Sequence, residues 1–460
     1  LTNRRILWPR GKARGGSRSI HGMIYNRGVP VDFAAWEQAG AKGWSWEDVL
    51  PYFVKAERQQ TFDDSLHGSE GPLHVQDVVD KRPIHETFLD AMEEQGVPRN
   101  ADFNGVDQAG CGYYQFTQKN GRRWSAASAY LNPARGRSNL DIKTNVQTQR
   151  IIFEGKKAIG VETERCGRVE VIKARHVIVS CGAIGSPQLL ELSGVGDSER
   201  LSTLGINVNH HLPDVGEHLQ DHLLSKIVYG TRPDLSFNRE VTGVRLVPAA
   251  LKWFFMRKGP LTTGSAPVGA FLYTRDGLEA PDIQVHFASG ATLYNEEGKI
   301  RALAEPAMTA VVNQSRPESR GSIHINSADH RQHPQIKANY LSTELDRRTM
   351  VDGMKLLLKV FESKALASSI TSRLAPFPEL SELDDEALLD HIREDASTVY
   401  HPTSTCSIGK VVDENLRVKG LEGLSVVDAS VMPYVVSGNT NAATIMLAEK
   451  NADYLVANAK

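Results

Sequence analysis

The chain has 460 residues, with 53 Lys and Arg against 55 Asp and Glu, a net charge of −2 and 40% apolar residues. This is the composition of an ordinary globular protein with room for two domains, and nothing in the charge balance points to nucleic acid or to an anionic membrane. No apolar run reaches the roughly 18 residues of a membrane span, the nearest being LVPAALKWFFM (246–256) with charges on both sides.

The first element is a glycine-rich turn, RGGSRSIHGM (14–23), of the kind whose free backbone N–H groups can hold a phosphate. GWSWEDVLPYF follows, with Ser45 three residues before Asp48 in a capping-box pattern ahead of an apolar stripe. IHETFLDAMEEQG reads as an amphipathic helix closed by Gly96. LDIKTN, RIIF, AIGVETE, VEVI and HVIVS are strand-like runs separated by turns. HVIVS, apolar throughout, reads as a fully buried strand. It enters a second glycine turn and a helix in GAIGSPQLLELSGVG (182–196), the grammar of an α/β nucleotide-binding layer.

From about 226 to 395 the texture changes. PDIQVHFAS, AMTAVVNQS and GSIHINSA predict strands of one sheet with an exposed face, followed by helices in STELDRRTMVDGMKLLLKVFES and DDEALLDHIRED. The last stretch returns to a buried strand, LSVVDAS, and ends in a helix starting near Asn441. The predicted fold is α/β, α+β overall: a Rossmann-like domain from 1–225 and 396–460, and a substrate domain at 226–395 with an antiparallel sheet and covering helices.

Candidate chemistry concentrates near the C-terminus, in VYHPTSTCSIG, VVDASVMP and VSGNTNAATIML. An imidazole (His401) and an amide (Asn439) beside a helix N-terminus can handle an alcohol, one taking its proton and the other holding its oxygen. Cys111, Cys166, Cys181 and Cys406 form no CxxC pair and read as reduced, mostly buried thiols of a cytoplasmic, at most membrane-peripheral, protein. His210 and His211 read as a surface turn. His218 and His222 stand four apart in GEHLQDH, but with no HEXXH and no third ligand they read as structural, and no metal site is predicted. The absence of G-x-S-x-G argues against an α/β hydrolase.

These motifs, in this order, resemble the glucose–methanol–choline (GMC) family of FAD-dependent alcohol oxidoreductases. The two glycine-rich signatures are GKARGGSRSIHGMIYNRG and GAIGSPQLLELSGVG. HGSEGPL, GYYQFTQKNGRRWSAASAYLNPA, LPDVGEHLQDH, GPLTTG and SRGSIHINSAD extend the likeness over essentially the whole chain. The resemblance implies His401 as the active-site histidine and Asn439 as its partner. It implies Gly15, Gly16, Ser17, His21 and Gly22 as flavin and pyrophosphate contacts, His21 standing where Asn is usual. Asp428 and Ala429 resemble strand-end contacts, Asn441 and Ala442 the helix start under the flavin ring, and Thr148 the adenine-end contact, where Val is common. Ser404 replaces a common Gly. Ile20 stands where some members carry a histidine bonded to the flavin, so non-covalent FAD is expected, with a small alcohol as substrate and oxygen, a quinone or a redox protein as electron acceptor.

No G-x-G-x-x-G occurs. In this family it belongs to a βαβ unit roughly 60–80 residues before the first signature. The expectation is a chain that binds FAD poorly by itself, and the alternative reading is a truncated or non-catalytic relative.

Overall fold

The computed structural model describes residue 1 and residues 4–294, 300–374 and 383–458, without the side chains of 292–294 and 300–302. Two of the omitted stretches lie within 226–395.

In chain order the main elements begin with helices α1 (Pro30–Gln38), α2 (Trp46–Ala56) and α3 (Pro83–Glu94). Strand β1 (Gly110–Tyr113) comes next, then the meander β2 (Gln147–Glu154), β3 (Lys157–Arg165) and β4 (Arg168–Lys173). Strand β5 (Val177–Val179) enters α4 (Gly182–Leu192), and β6 (Leu223–Thr231) precedes α5 (Leu246–Met256). Strands β7 (Val268–Leu272), β8 (Ile283–Ala288) and β9 (Ala307–Gln314) lead to α6 (Glu344–Phe361). Strand β10 (Ile370–Arg373), helix α7 (Asp385–Asp395), strands β11 (Ser397–Thr398) and β12 (Leu424–Val426), and helix α8 (Asn441–Ala457) complete the set.

One antiparallel sheet dominates, in the order β10-β6-β9-β8-β7-β1, with β11 also on β6. Its apolar face carries Ile283, Val285, Phe287 and Val312. Helix α6 covers this face with the stripe Met350, Met354, Leu357, Phe361 at helical spacing. From α3, Phe88 stacks on Phe287 with ring centroids 4.0 Å apart. A second core joins α1, α2, α4, α8 and the parallel pair β5–β12, in register Val177 to Leu424. Ser45 caps α2 as its spacing predicts, accepting from the Asp48 N–H at 3.3 Å.

Five expectations need correction. Residues 140–145 form no strand; pairing starts at Gln147, opposite Glu164, where a ladder partner first exists. The predicted exposed face of the large sheet is buried, since Gln284, His286 and Asn313 line an interior wall. Ser322–His324 lies outside that sheet and pairs with Gln335–Lys337. The HVIVS strand is not buried throughout: Val177 and Val179 face the core, but the alternate residue Ile178 is 49% exposed. Cys166 and Cys181 are likewise exposed, whereas Cys111 and Cys406 are buried.

The entry to α1 is anchored by a charge cluster. Arg27 and Glu57, both with fully buried side chains, form an ion pair, and Arg27 Nε donates to the Tyr25 hydroxyl at 3.1 Å. His67 bridges Glu57 (3.2 Å) and Asp102 (2.9 Å). Burial opposes its charge, but the two carboxylates prevail and lift it to about 9, so it is an imidazolium at neutral pH. Glu57→Gln leaves the Arg27 charge buried with a neutral partner. The expected cost, read from urea unfolding midpoints, is about 3–5 kcal/mol, and a loss under 1 kcal/mol would contradict a net role for the pair.

Candidate active site

The site forms where three remote segments meet the polar wall of the large sheet. Strand β11 hands the chain to Tyr400, at φ 66°, and then to His401. The position is fixed by Asp221, just before β6. The Asp221 carboxylate accepts the His401 backbone N–H at 2.7 Å and the hydroxyls of Thr398 and Tyr340. Ser404, where glycine is common, sits at φ 75° in the left-handed region that glycine adopts freely. Asn439 follows Gly438, whose φ is 101° and where an added Cβ would lie 2.3 Å from Asn26 Oδ1. No side chain fits there, so the amide is delivered by a glycine turn.

The hydrogen bonds assign the tautomers. His222 Nε2 lies 2.9 Å from the Ser315 carbonyl, which can only accept, so the proton of neutral His222 is on Nε2 and its Nδ1 is an acceptor. His401 Nδ1 stands 2.9 Å from that acceptor and must donate. The lone pair of His401 is therefore on Nε2, which takes the Asn439 Nδ2 amide at 3.2 Å. Asn439 Oδ1 accepts from Gln284 Nε2 at 3.3 Å, and Gln284 Nε2 also reaches the Tyr114 hydroxyl at 3.1 Å. Burial, with His222, His286, Arg10 and His21 as lesser causes, holds His401 well below the usual 6.5. It is a neutral, basic imidazole at physiological pH, which is the form proton abstraction needs.

The glycine turn is the second part of the site. Gly15 (φ 87°) and Gly16 (φ 57°) are both left-handed, and the space where a Gly16 Cβ would stand is open. Ser17 Oγ accepts the Gly11 N–H at 3.2 Å, and Gly22 O accepts from Ser265. His21 Nδ1 accepts the Met23 N–H at 2.8 Å, so its proton is on Nε2, a buried atom with no partner. The Arg18 guanidinium is buried with none of its three nitrogens bonded, and burial lowers it to about 10.

The third part is the crossing of β5 and β12. Asp428 accepts from the Gly182 N–H (2.9 Å), the Ser186 hydroxyl and the Ser430 N–H (2.8 Å), tying both strand ends together. Ala429 O receives the Ser404 N–H, which couples this crossing to the His401 loop. Asn441 and Ala442 open α8, and Asn441 Nδ2 is buried without a partner. Thr148 stands apart in the meander opposite Thr163, and the fold brings it to neither the histidines nor the glycine turn. His218 bonds Asp214 at 2.7 Å and does not share a face with His222, because the segment between them is not helical.

A family model described as GMC oxidoreductase matches residues 1–224, and its C-terminal counterpart matches residues 317–448. The chain belongs to the GMC oxidoreductase family. Among curated relatives this GMC oxidoreductase is 40% identical to "Alcohol dehydrogenase [acceptor]" of Pseudomonas putida, covering 99% of this chain and 83% of that protein. It is 39% identical to mitochondrial choline dehydrogenase of Homo sapiens, over 99% of this chain and 77% of the relative. Among solved structures, pyridoxine 4-oxidase from Mesorbium loti aligns with TM-score 0.87 and 28% identity over 99% of this chain and 86% of its own. A Chaetomium thermophilum FAD-dependent oxidoreductase shares the fold alone, with TM-score 0.90 at 23% identity over 100% of this chain and 88% of that one.

The residues present fit a flavin dinucleotide. Arg18 and the His21 Nε2–H are buried donors with no protein acceptor, as an anionic or carbonyl-bearing ligand requires. Asn441 Nδ2 adds a third such donor at the start of α8, and Gly16 leaves its backbone open to close approach. Sequence reading took His222 as structural, although it stands against His401, and missed Arg18, Asp221, Gln284 and His286. Only the last two carried a signal, as polar residues two apart on an otherwise apolar strand.

Proposed function

We propose that this protein oxidises a small alcohol to an aldehyde or ketone with FAD, His401 acting as the base. The observation that carries the reading is the tautomer lock, which leaves the only lone pair of a neutral His401 on Nε2, facing the Asn439 amide. A substrate hydroxyl displaces the His401–Asn439 contact. His401 Nε2 takes its proton, and the Asn439 Nδ2–H donates to the oxygen as negative charge develops there. FAD, when bound, would supply the two-electron acceptor for the hydride leaving the alcohol carbon. Asp221 holds the His401 backbone, and Gln284 orients the Asn439 amide so that its N–H side points at the imidazole.

Gly15, Gly16, Ser17, His21 and Gly22 would hold the cofactor with Asp428, Ala429, Asn441 and Ala442, and Thr148 would meet its adenine end. Ile20 offers no nucleophile, so FAD is held non-covalently. Residues 1–225 with 396–460 serve the cofactor and 226–395 the substrate, although β1 and α3 of the first part complete the sheet and core of the second. Oxygen, a quinone or a redox protein would serve as the external electron acceptor. Four free thiols suit a reducing, cytoplasmic setting, and no helix among the described residues is long and apolar enough to cross a membrane.

The test is a visible spectrum of the protein with FAD, followed by anaerobic titration with a panel of alcohols. Whatever flavin the chain retains is expected to be bleached by at least one alcohol. A bound flavin that no alcohol bleaches would refute the reaction, whereas failure to retain FAD would refute cofactor binding by this chain.

A further inference from the structure

Helix α5 and its approach invert the usual rule for a surface helix. Ala249 and Trp253 face inward, Trp253 Nε1 donating to the Gly121 carbonyl at 3.2 Å. The outward stripe is apolar, with Val244, Val247, Leu251, Phe254, Phe255 and Met256 all exposed, Phe255 by 75% and Val244 by 86%. Val247, Leu251 and Phe254 recur at i, i+4 and i+7, which in a globular protein marks the face turned to the core. Here that face meets solvent, and contiguous apolar patches of this kind mark interaction surfaces.

The charge around the stripe selects its occupant. Residues 239–258 hold five basic side chains (Arg239, Arg245, Lys252, Arg257, Lys258) and one acid, Glu240, which is tied to Arg82 at 2.7 Å. The chain as a whole carries only −2, so the basic cluster is local. A second copy docked on this face by a twofold axis would set like charges against each other. A surface of anionic lipid satisfies both the apolar stripe and the basic rim: aromatic and aliphatic side chains enter the acyl boundary while Lys and Arg meet the head groups.

We infer that α5 is an interfacial anchor that docks this protein on anionic membranes without spanning them. The anchor adjoins the cofactor turn. The chain leaving α5 passes through Thr262, whose carbonyl takes Gln118 Nε2 at 2.6 Å, to Ser265, which donates to the Gly22 carbonyl at 3.2 Å. The inference does not depend on the catalytic reading.

Vesicle flotation of the whole chain tests it. Binding to phosphatidylglycerol–phosphatidylcholine vesicles is expected to exceed binding to pure phosphatidylcholine and to weaken with salt. F254E/F255E should lower partitioning about 100-fold or more with an unchanged circular dichroism spectrum, because both rings are exposed. R245Q/K258Q should lower it about 30-fold on the anionic vesicles only. Wild-type protein that stays off the anionic vesicles, or F254E/F255E that still floats, would overturn the inference. So would a wild-type dimer in size-exclusion chromatography that F254E/F255E converts to monomer.

Discussion

His401→Ala, assayed on protein carrying FAD, is expected to slow anaerobic flavin reduction by about 10²–10⁴, the range for losing a positioned general base. The loss should fall on the reduction step and leave flavin retention intact, because among the described residues His401 bonds His222, Asn439 and, through its backbone, Asp221. The wild-type pH profile carries the same signature. His401 is held well below 6.5, so its neutral form persists into acid and the acid limb of the reduction rate should lie below that value. A His401→Ala rate within threefold of wild type would remove the imidazole from the proton transfer.

The second large effect is acid lability. Burial lowers His85 and His286 to about 3 and His222 to about 4, and drives His401 well below 6.5. In the unfolded chain each of these takes a proton near pH 6.5, while in the fold each resists it. Between these values the unfolded state binds more protons, so stability is full above about pH 6.5 and drains away as the pH falls toward 4. His85, His222 and His286 each cost roughly 2 kcal/mol by pH 5, on the order of 6 kcal/mol together, and His401 adds in the same direction, against a typical folding stability of about 5–15 kcal/mol.

Asp221 works in the opposite direction. Burial pushes it up to about 6, so in the fold it regains its proton first. That returns only about 1 kcal/mol by pH 5. Melting temperature should therefore drop steeply from pH 7 to pH 5, and His286→Gln should flatten the slope by removing roughly 2 kcal/mol of that loss. A flat profile over that range would show that these histidines are not kept neutral by the fold.

The local grammar was readable in the residues. Capping at Ser45, the stripe of α6 and the strand–turn–helix steps at 176–192 and 424–442 follow from short-range spacing, and the structure shows each of them. The GMC signatures are local in the same way. What escaped is what depends on distant chain. Alternation in PDIQVHF shows that Gln284 and His286 share a face, but it cannot tell a solvated face from the wall of a cavity. Asp221 meets His401 across 180 residues, and no spacing announces that contact. LDIKTN has strand composition and no partner strand, and a strand exists only where a ladder forms. Arg18 looked like one more polar residue in a turn, and only its burial without a partner marks it.

The histidine pair has one further consequence. Behind His401 the path runs to His222 and stops at the Ser315 carbonyl, a group that accepts a hydrogen bond but carries no proton onward. A proton captured on Nε2 can shift its charge inward by one ring and no farther. The site is a cul-de-sac for protons with a single door on the substrate side.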